Sequence, residues 1–249
     1  MRVISHCHSS YSFDSPLLLS DIVSEAVAFS IDAIILCDHD TYGLTTLEES
    51  IFSEAGIAVF RSIEFTTAQG IHVIGVHKDI RRLERGAYFW RLSDLVNRLK
   101  EIEAVIIFPH PSHATGLLGN KNLDDDTKAC FLPLADFFEV ENFRYGGTFS
   151  SDIKLISESV CDPKWLVGSD AHYKNEVGAF VNCFIAPVPD VSNMYSILID
   201  SEVVHEFNKR RTWFYFLLRR VKKSRLYQYV LNIFSPQLRA KIKKLLGMI

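Results

Sequence analysis

Histidine and acidic residues recur in this sequence at the points where short apolar runs end. His6 and His8 follow the run RVIS, and Glu64 closes the run AVFRSIE. The same arrangement is repeated further along the chain, at Asp38, His39, Asp40, His110, Glu139, Glu141, Asp170 and His172. Imidazole nitrogens and carboxylate oxygens are ligands that suit Zn, Mn or Fe, and several carboxylates together favour a site that holds more than one ion. The residue types therefore indicate a metal centre.

No single residue of this set identifies such a centre, because most histidines in globular proteins are structural or solvated. Their coincidence carries the inference, since five of the nine histidines stand beside acids at the ends of predicted strands. Carboxylates that are neither paired nor bound to metal are costly to bury. Endings such as DHD and SDAH therefore indicate groups that have partners.

The elements that must position these residues are predicted from the apolar runs themselves. Eight runs rich in Val, Ile and Phe have the length of buried strands, at 2–6, 32–37, 57–65, 71–76, 104–110, 137–142, 164–170 and 182–186. Helical patterns over 20–30, 46–56 and 82–103 lie between them. This alternation predicts an α/β protein with parallel strands covered by helices, and about seven such units suggest a barrel. The carboxyl ends of barrel strands share one rim, which would bring the polar residues together.

Charge divides the chain into two parts. From residue 205 onward, twelve lysines and arginines stand against one acid, whereas the preceding residues carry a strong excess of acids. We therefore predict a barrel domain over 1–204 and a basic, amphipathic, helical tail over 205–249. The tail admits three interpretations: packing on the barrel, binding of nucleic acid, or attachment to an anionic membrane surface.

The remaining composition indicates a cytoplasmic protein. The five cysteines are scattered without a CxxC pair, which is typical of reduced thiols. The N-terminus lacks the apolar segment of a signal peptide. No stretch reaches the roughly 18 uncharged apolar residues of a spanning helix. The oligomeric state is not predicted.

Seven motifs taken together resemble the PHP superfamily, named for polymerase and histidinol phosphatase. They are HCHSSYSFDS (6–15), CDHDT (37–41), SIEFTT (62–67), IHVIGV (71–76), FPHP (108–111), FEVEN (138–142) and GSDAH (168–172), in the family's order. The resemblance implies a distorted (β/α)7 TIM-like barrel that binds two or three divalent metal ions, Mn, Zn or Fe. It also implies phosphoester hydrolysis by a metal-activated water, and the most similar members act on nucleotides or oligonucleotides.

The resemblance further implies nine ligands divided among three ions. The assignment is His6, His8 and Asp170 to the first, His72 and His110 to the second, Asp14, His39 and His172 to the third, with Glu64 bridging the first two. Glu64, Asp170 and His172 are in addition predicted to be catalytic. Asp38 and Asp40 would orient His39 by accepting hydrogen bonds from it.

Three further points depend on the resemblance. The motif IHVIGVH offers two histidines, and motif position favours His72 whereas nearness to a strand's carboxyl end favours His77; we favour His72. Many family members carry the first-loop acid directly after the serine, whereas here Phe13 separates Ser12 from Asp14. The residues predicted to bind substrate are Glu139, Asn142 and Arg144, and further candidates are Arg61 for phosphate and His113 as a general acid or a loop residue.

We therefore expect a metal-dependent phosphoesterase, of phosphatase or exonuclease type, whose substrate is a nucleotide or a short, single-stranded nucleic acid. Two alternatives stay open. One is a phosphatase for a small metabolite, and the other is a non-catalytic PHP module that acts in protein interactions. Loss of ligands would favour the module, but nearly the full set is present.

Overall fold

The computed structural model describes residues 1–84, 88–185, 194–208 and 212. The chain divides into two compact units, Met1–Phe207 and Asn208–Ile249. In the first unit the strands are β1 (Arg2–Cys7), β2 (Ala33–Leu36), β3 (Ala58–Thr66), β4 (His72–Val76), β5 (Val105–Phe108), β6 (Phe137–Asn142), β7 (Gly146–Gly147), β8 (Lys164–Ala171), β9 (Phe180–Ile185) and β10 (Glu202–Phe207). The helices are α1 (Leu19–Ala28), α2 (Thr46–Glu54), α3 (Leu92–Glu101), α4 (Asp125–Phe131), α5 (Ser150–Ser159) and α6 (Met194–Asp200).

Seven of the strands close into a barrel, so the predicted fold class is confirmed. Their order around the barrel is β1-β2-β3-β4-β5-β6-β8, and β8 pairs again with β1. All neighbours run parallel except β4, which is antiparallel to both β3 and β5. The expectation of uniformly parallel strands is therefore wrong at this one strand. Strands β9 and β10 extend the sheet beyond the barrel from β1, in antiparallel pairing.

The reversal of β4 follows from the length of its connection to β3. Only residues 67–71 separate the two strands, and Gly70 takes a left-handed conformation there, with φ at 75°. A parallel crossover needs a dozen residues or more, whereas a short turn joins antiparallel strands. The amino end of β4 therefore lies at the same rim as the carboxyl ends of the other barrel strands.

Alternate residues of the strands divide the core into two layers. Val3, Ile35, Phe60 and Ile74 belong to an inner cluster, whereas residues next to them such as Ile4 and Leu36 belong to the cluster that contains residues of α1 and α3. This is the period of two expected of strands buried on both faces. In β3, Ser62 and Glu64 continue the inward face of Phe60, so that face becomes polar as it reaches the rim.

Local interactions at the ends of α2 and before α3 mark where these helices begin and end. Helix α2 starts at a capping box in which Thr45 and Glu48 satisfy each other's backbone N–H groups, and Gly56 follows its end at a φ of 75°. Helix α3 occupies only part of the predicted segment 82–103, and before it the indole N–H of Trp90 donates to the Leu83 carbonyl.

Two predictions concern the region after residue 200. The predicted domain boundary, between residues 204 and 205, falls inside β10, which pairs with β9 along its whole length. The predicted amphipathic helix of the tail lies outside the described residues. Among the residues that the structure describes, no helix is both long and apolar enough to cross a membrane.

Candidate metal centre

The barrel topology brings the predicted ligands to one rim. Glu64 lies near the carboxyl end of β3 on its inward face, and His72 opens the reversed strand β4 at the same rim. Asp170 stands near the end of β8 on the same inward face as Leu166. The structure also places here the other six predicted ligands, which are His6, His8, Asp14, His39, His110 and His172.

Glu64 lies at the centre of the group. Its Oε2 atom is 3.1 Å from Nε2 of both His6 and His8, while its Oε1 atom is 2.9 Å from Nδ1 of His72. Oε1 is also 3.4 Å from Nε2 of His110. Four imidazoles therefore face one carboxylate that is almost fully buried. This is the position required of a carboxylate that would bridge two cations.

A second group lies nearer to solvent. Asp14 Oδ2 is 2.8 Å from Nε2 of His172 and 3.5 Å from Nε2 of His39. His8 joins these residues, since the four offer ligand atoms within 4.8 Å of one another. The Asp14 side chain is one-third exposed, whereas Glu64 is buried. Asp14 thus lies beside His39 and His172, although Phe13 separates it from Ser12.

Several buried atoms of this centre have no hydrogen-bond partner among the described residues. They are Nε2 of His8, Nδ1 of His39 and of His72, both ring nitrogens of His110, Oε1 of Glu64 and Oδ2 of Asp170. Buried polar atoms without partners are costly, and native proteins pair nearly all of them. These nitrogen and oxygen atoms are potential metal ligands and lie close together, so the residues fit divalent cations.

The electrostatics of the metal-free chain agree with this fit. Burial lowers the pKa of His6. The carboxylates of Glu64, Asp170 and Glu139 raise the pKa by more than burial lowers it, so the pKa of His6 lies well above its usual value. For His8 burial likewise lowers the pKa, but the nearby carboxylates of Asp170 and Glu64 outweigh burial and raise the pKa to about 9. Burial raises the pKa of Glu64, yet the surrounding imidazoles hold it well below its usual value. The raised pKa values of His6 and His8 mean that the metal-free chain balances the charge of Glu64 with protonated imidazoles, as cations would.

Left-handed backbone conformations aim three of the ligands. His6, His110 and Asp170 all have positive φ, at 57°, 33° and 45°. The pairing of β1 with its neighbours shifts register around His6, which marks a bulge. Bulges and strained residues re-aim side chains and cluster at functional sites.

Glu139 and Asn142, the two residues of β6 predicted to bind substrate, are hydrogen-bonded to each other beneath the centre. Both are buried. His6 Nδ1 donates to Glu139 Oε1 over 2.7 Å, and Asn142 Nδ2 donates to Glu139 Oε2 over 2.8 Å. Because the Glu139 carboxylate accepts the hydrogen bond from Nδ1–H, the other ring nitrogen of His6, Nε2, faces Glu64. A Cβ at Gly168 would collide with the Glu139 carboxylate, so the glycine leaves the space in which Glu139 contacts His6.

Asp38 and Asp40 have partners other than the predicted His39 ring. Asp38 accepts from the backbone N–H and the hydroxyl of Ser9, and Asp40 accepts from the backbone N–H of Thr66 over 2.8 Å. Alternate residues of a chain leaving a strand point to different sides, so neither carboxylate reaches the His39 ring. The two aspartates fix the loops that carry ligands.

Arg144 lies beside the centre. Its Nη2 atom donates to Glu176 Oε2 over 3.2 Å, and its Nε atom is 3.7 Å from Asp170 Oδ1. The backbone N–H groups of Arg144 and Tyr145 donate to Asn142 Oδ1, which holds this turn in place. The side chain is one-quarter exposed, so the position is compatible with the predicted phosphate contact.

Arg61 and His113 fit their suggested roles poorly. Arg61 donates to both carboxylate oxygens of Glu49, each over 2.7 Å, so the guanidinium is already paired away from the rim. His113 stacks on Tyr145 with ring centroids 3.8 Å apart. Burial, together with His110 and His72, lowers the pKa of His113. A neutral imidazole is a weak proton donor at neutral pH.

Sequence reasoning missed three residues of the centre. Glu176 accepts from the backbone N–H of His172 over 2.8 Å, and Ser12 donates to Asp14 over 2.7 Å. The Sγ atom of Cys37 lies within 4.8 Å of ring nitrogens of His6 and His8. Cys37 directly precedes the DHD motif, which was the available signal; the other two depend on loop packing that no local pattern reveals.

The structure separates the two histidines of the IHVIGVH motif. His77 follows the far end of β4, where its Nδ1 accepts from the Asp79 N–H over 3.1 Å. Its ring lies 6.0 Å from Tyr195, away from the rim. A His72→Ala variant should therefore lose metal affinity by at least about tenfold, whereas His77→Ala should leave it unchanged. Competition with a metallochromic chelator measures both; equal effects would remove His72 from the ligand set.

Comparison with known proteins adds a partial sequence match. No protein-family profile matches the chain. A 5′-3′ exoribonuclease of Haemophilus influenzae is 35% identical over 77 residues. The match covers 30% of this chain and 28% of that enzyme, so it concerns only part of each.

Solved structures share the fold over more of the chain. A two-domain protein of Bacteroides vulgatus containing a predicted PHP-like metal-dependent phosphoesterase superposes with a TM-score of 0.64 at 17% identity, over 84% of this chain and 65% of that one. PsfC from Pseudomonas syringae gives 0.63 at 19% identity, over 88% and 97%. Endonuclease Q, in complex with a 27-mer duplex bearing an abasic lesion, gives 0.57 at 13%, over 79% and 56%. The chain therefore has the fold of PHP-like metal-dependent phosphoesterases.

Proposed function

We propose that this chain is a metal-dependent phosphoester hydrolase that acts on nucleotides or short nucleic acids. The observation that carries the proposal is the convergence of unpartnered, buried imidazole and carboxylate atoms around Glu64. Divalent Mn, Zn or Fe would satisfy these atoms. When bound, such ions lower the pKa of a water and neutralise charge on phosphoryl oxygens.

The buried and the more exposed residues of the centre would have different roles. Glu64 and Asp170 are buried and would hold the cations together from below. Asp14 and His72 are the more exposed ligands, so substrate would approach from their side. Arg144 would contact a phosphoryl oxygen with the N–H groups that do not face Glu176 or Asp170.

The preference for nucleotides or nucleic acids is supported by two relatives. The partial match is to a 5′-3′ exoribonuclease, and a protein of the same fold, Endonuclease Q, has been seen with a DNA duplex. Both are themselves only partly covered by this chain. Their substrates suggest the class of phosphoester to test first.

One experiment tests the proposal directly. Protein purified without chelator and supplied with Mn is analysed for metal, then assayed against phosphomonoesters and short oligonucleotides. We expect at least two ions per chain and hydrolysis that chelation abolishes. Hydrolysis of small metabolite phosphates alone would favour the phosphatase alternative, and less than one ion per chain would falsify the proposal.

Metal uptake should depend on pH. In the metal-free chain the pKa of His8 is about 9, and the pKa values of His6 and His39 are also raised. Below these values protons compete with metal, so apparent affinity should rise with pH, about tenfold per pH unit for each proton displaced. Titration calorimetry between pH 6 and pH 9, in buffers of different ionisation enthalpy, measures the affinity and the released protons. Affinity independent of pH would contradict the assigned ligands.

The basic tail offers a further test of the nucleic-acid preference. We propose that its twelve cations recruit polyanionic substrates to the acidic barrel. The deletion should begin after Phe207, because an earlier cut would remove β10 from the sheet. Loss of 208–249 should weaken oligonucleotide binding, and binding by the full chain should fall with salt at a log–log slope of about −0.7 per phosphate contact.

A charge-only variant separates this effect from packing. Replacing Lys222, Lys223 and Arg225 with Gln keeps the length of the tail while removing three cations. Weaker oligonucleotide binding with an unchanged melting temperature supports recruitment. Early melting together with salt-insensitive binding would instead mean that the tail serves the fold.

A further inference from the structure

The loop between β1 and α1 is anchored on both sides of Phe13. The Tyr11 hydroxyl donates to Glu48, and the Tyr11 ring lies so close to Gly43 that any side chain at that position would collide with it. On the other side, Asp14 is held by Ser12 over 2.7 Å and by His172 over 2.8 Å. The loop therefore has a defined conformation at the mouth of the metal centre.

Phe13 is the most exposed apolar residue of this loop. It is 85% exposed, although its neighbour Ser12 is buried. Its ring centroid lies 5.1 Å from that of His39, with an angle of 30° between the planes. A large aromatic ring is thus held in solvent beside a predicted metal ligand. A globular protein gains nothing in folding from such an exposed ring.

The ring stands at one end of a row of rings that runs from the exposed Phe13 to the buried His110 and on to Tyr145. Centroid distances along the row are 5.0 Å from His39 to His72, 5.4 Å from His72 to His110 and 4.7 Å from His110 to Tyr145. A phosphoryl group that approaches from the more exposed ligands Asp14 and His72 would lie beside this row. The substituent next to the phosphoryl group would then be within reach of Phe13.

We propose that Phe13 stacks on the nucleobase adjacent to the scissile phosphoester and so selects substrates that carry a base. This inference rests on the proposed function and names the part of the substrate that the loop recognises. Every base has a π-face, so one exposed phenyl ring favours nucleotides over base-free phosphates without choosing a sequence. Asp14, the next residue in the chain, would link base recognition to the metal centre.

The test compares nucleotides with their base-free counterparts. Adenosine 5′-phosphate is paired with ribose 5-phosphate, and a short oligonucleotide with the same chain carrying abasic sites, all with Mn-loaded protein. In Phe13→Ala the ratio of kcat/KM for base-bearing over base-free substrate should fall by about 5- to 150-fold. Phe13→Tyr should restore the ratio. Val27→Ala, an exposed apolar residue in the last turn of α1, is the matched control and should leave the ratio unchanged.

A binding measurement gives a second readout that does not depend on turnover. In Phe13→Trp the added indole should be quenched by adenosine 5′-phosphate, relative to the wild-type protein, and not by ribose 5-phosphate. Equal loss of kcat/KM for both substrate types in Phe13→Ala, with no base-dependent quenching, overturns the stacking role while the hydrolase assignment stands. Absence of any hydrolysis by the wild-type chain overturns the proposed function itself, and the quenching then still decides whether Phe13 binds a base.

Discussion

A Glu64→Gln variant should retain less than one divalent ion per chain and lose at least about a hundredfold in hydrolytic rate. Mutation of a residue that only hydrogen-bonds to a metal ligand already lowers metal affinity or activity by about 10- to 100-fold. Glu64 lies closer to the centre than such a residue, since ring nitrogens surround its carboxylate at 2.9 to 3.4 Å. An amide keeps the shape of the side chain but removes the negative charge that offsets repulsion between two cations. Metal analysis and a hydrolysis assay of the same preparation measure both effects.

The matched control for this variant is Glu54→Gln. Glu54 is the last residue of α2 and is exposed. Glu48 would be a poorer control, because its carboxylate caps α2 and accepts from Tyr11. Circular dichroism should show the same secondary structure in both variants. Equal metal content and equal activity in Glu64→Gln and Glu54→Gln would exclude Glu64 from the centre.

An Asp170→Asn variant should also lose metal and hydrolysis, by at least about tenfold. The Asp170 carboxylate is buried, with Oδ1 lying 3.5 Å from His8 Nε2 and 3.4 Å from His172 Nδ1. Asparagine tolerates the positive φ of 45° at this position, so the change removes charge and leaves the backbone conformation accessible. The metal-free fold should survive, because His6 and His8 can release protons once the carboxylate is gone. The cost should thus stay below the roughly 3–5 kcal/mol of a broken buried pair.

Asp162→Asn provides the comparison for Asp170. Asp162 also has a positive φ, at 55°, but it is exposed and precedes β8, outside every ligand motif. Thermal unfolding with and without chelator should show a metal-dependent rise in melting temperature for Asp162→Asn and none for Asp170→Asn. A preserved rise in Asp170→Asn would show that the carboxylate does not hold metal.

The sequence alone was sufficient for the strands of the barrel and for the residue types of the centre. Each predicted strand segment overlaps a strand of the structure, because runs of Val, Ile and Phe buried on both faces are a local signal. The motif around Asp170 could be recognised for the same reason, since GSDAH closes such a run. Helices α4, α5 and α6 and strands β7 and β10 were not predicted, because their patterns are short or largely exposed.

The tertiary structure decided how those residues meet. Sequence alone left His72 and His77 as alternatives, and the short turn before β4 reverses that strand and presents His72 at the rim. Glu139 was predicted from its motif to bind substrate. Its pairing with His6 depends on β1 and β6 both lying beside β8, which the motif does not reveal. Periodicity and residue type are properties of a few consecutive residues. Strand direction and side-chain partners are set by pairing between segments far apart in the chain, so only the closed barrel determines them.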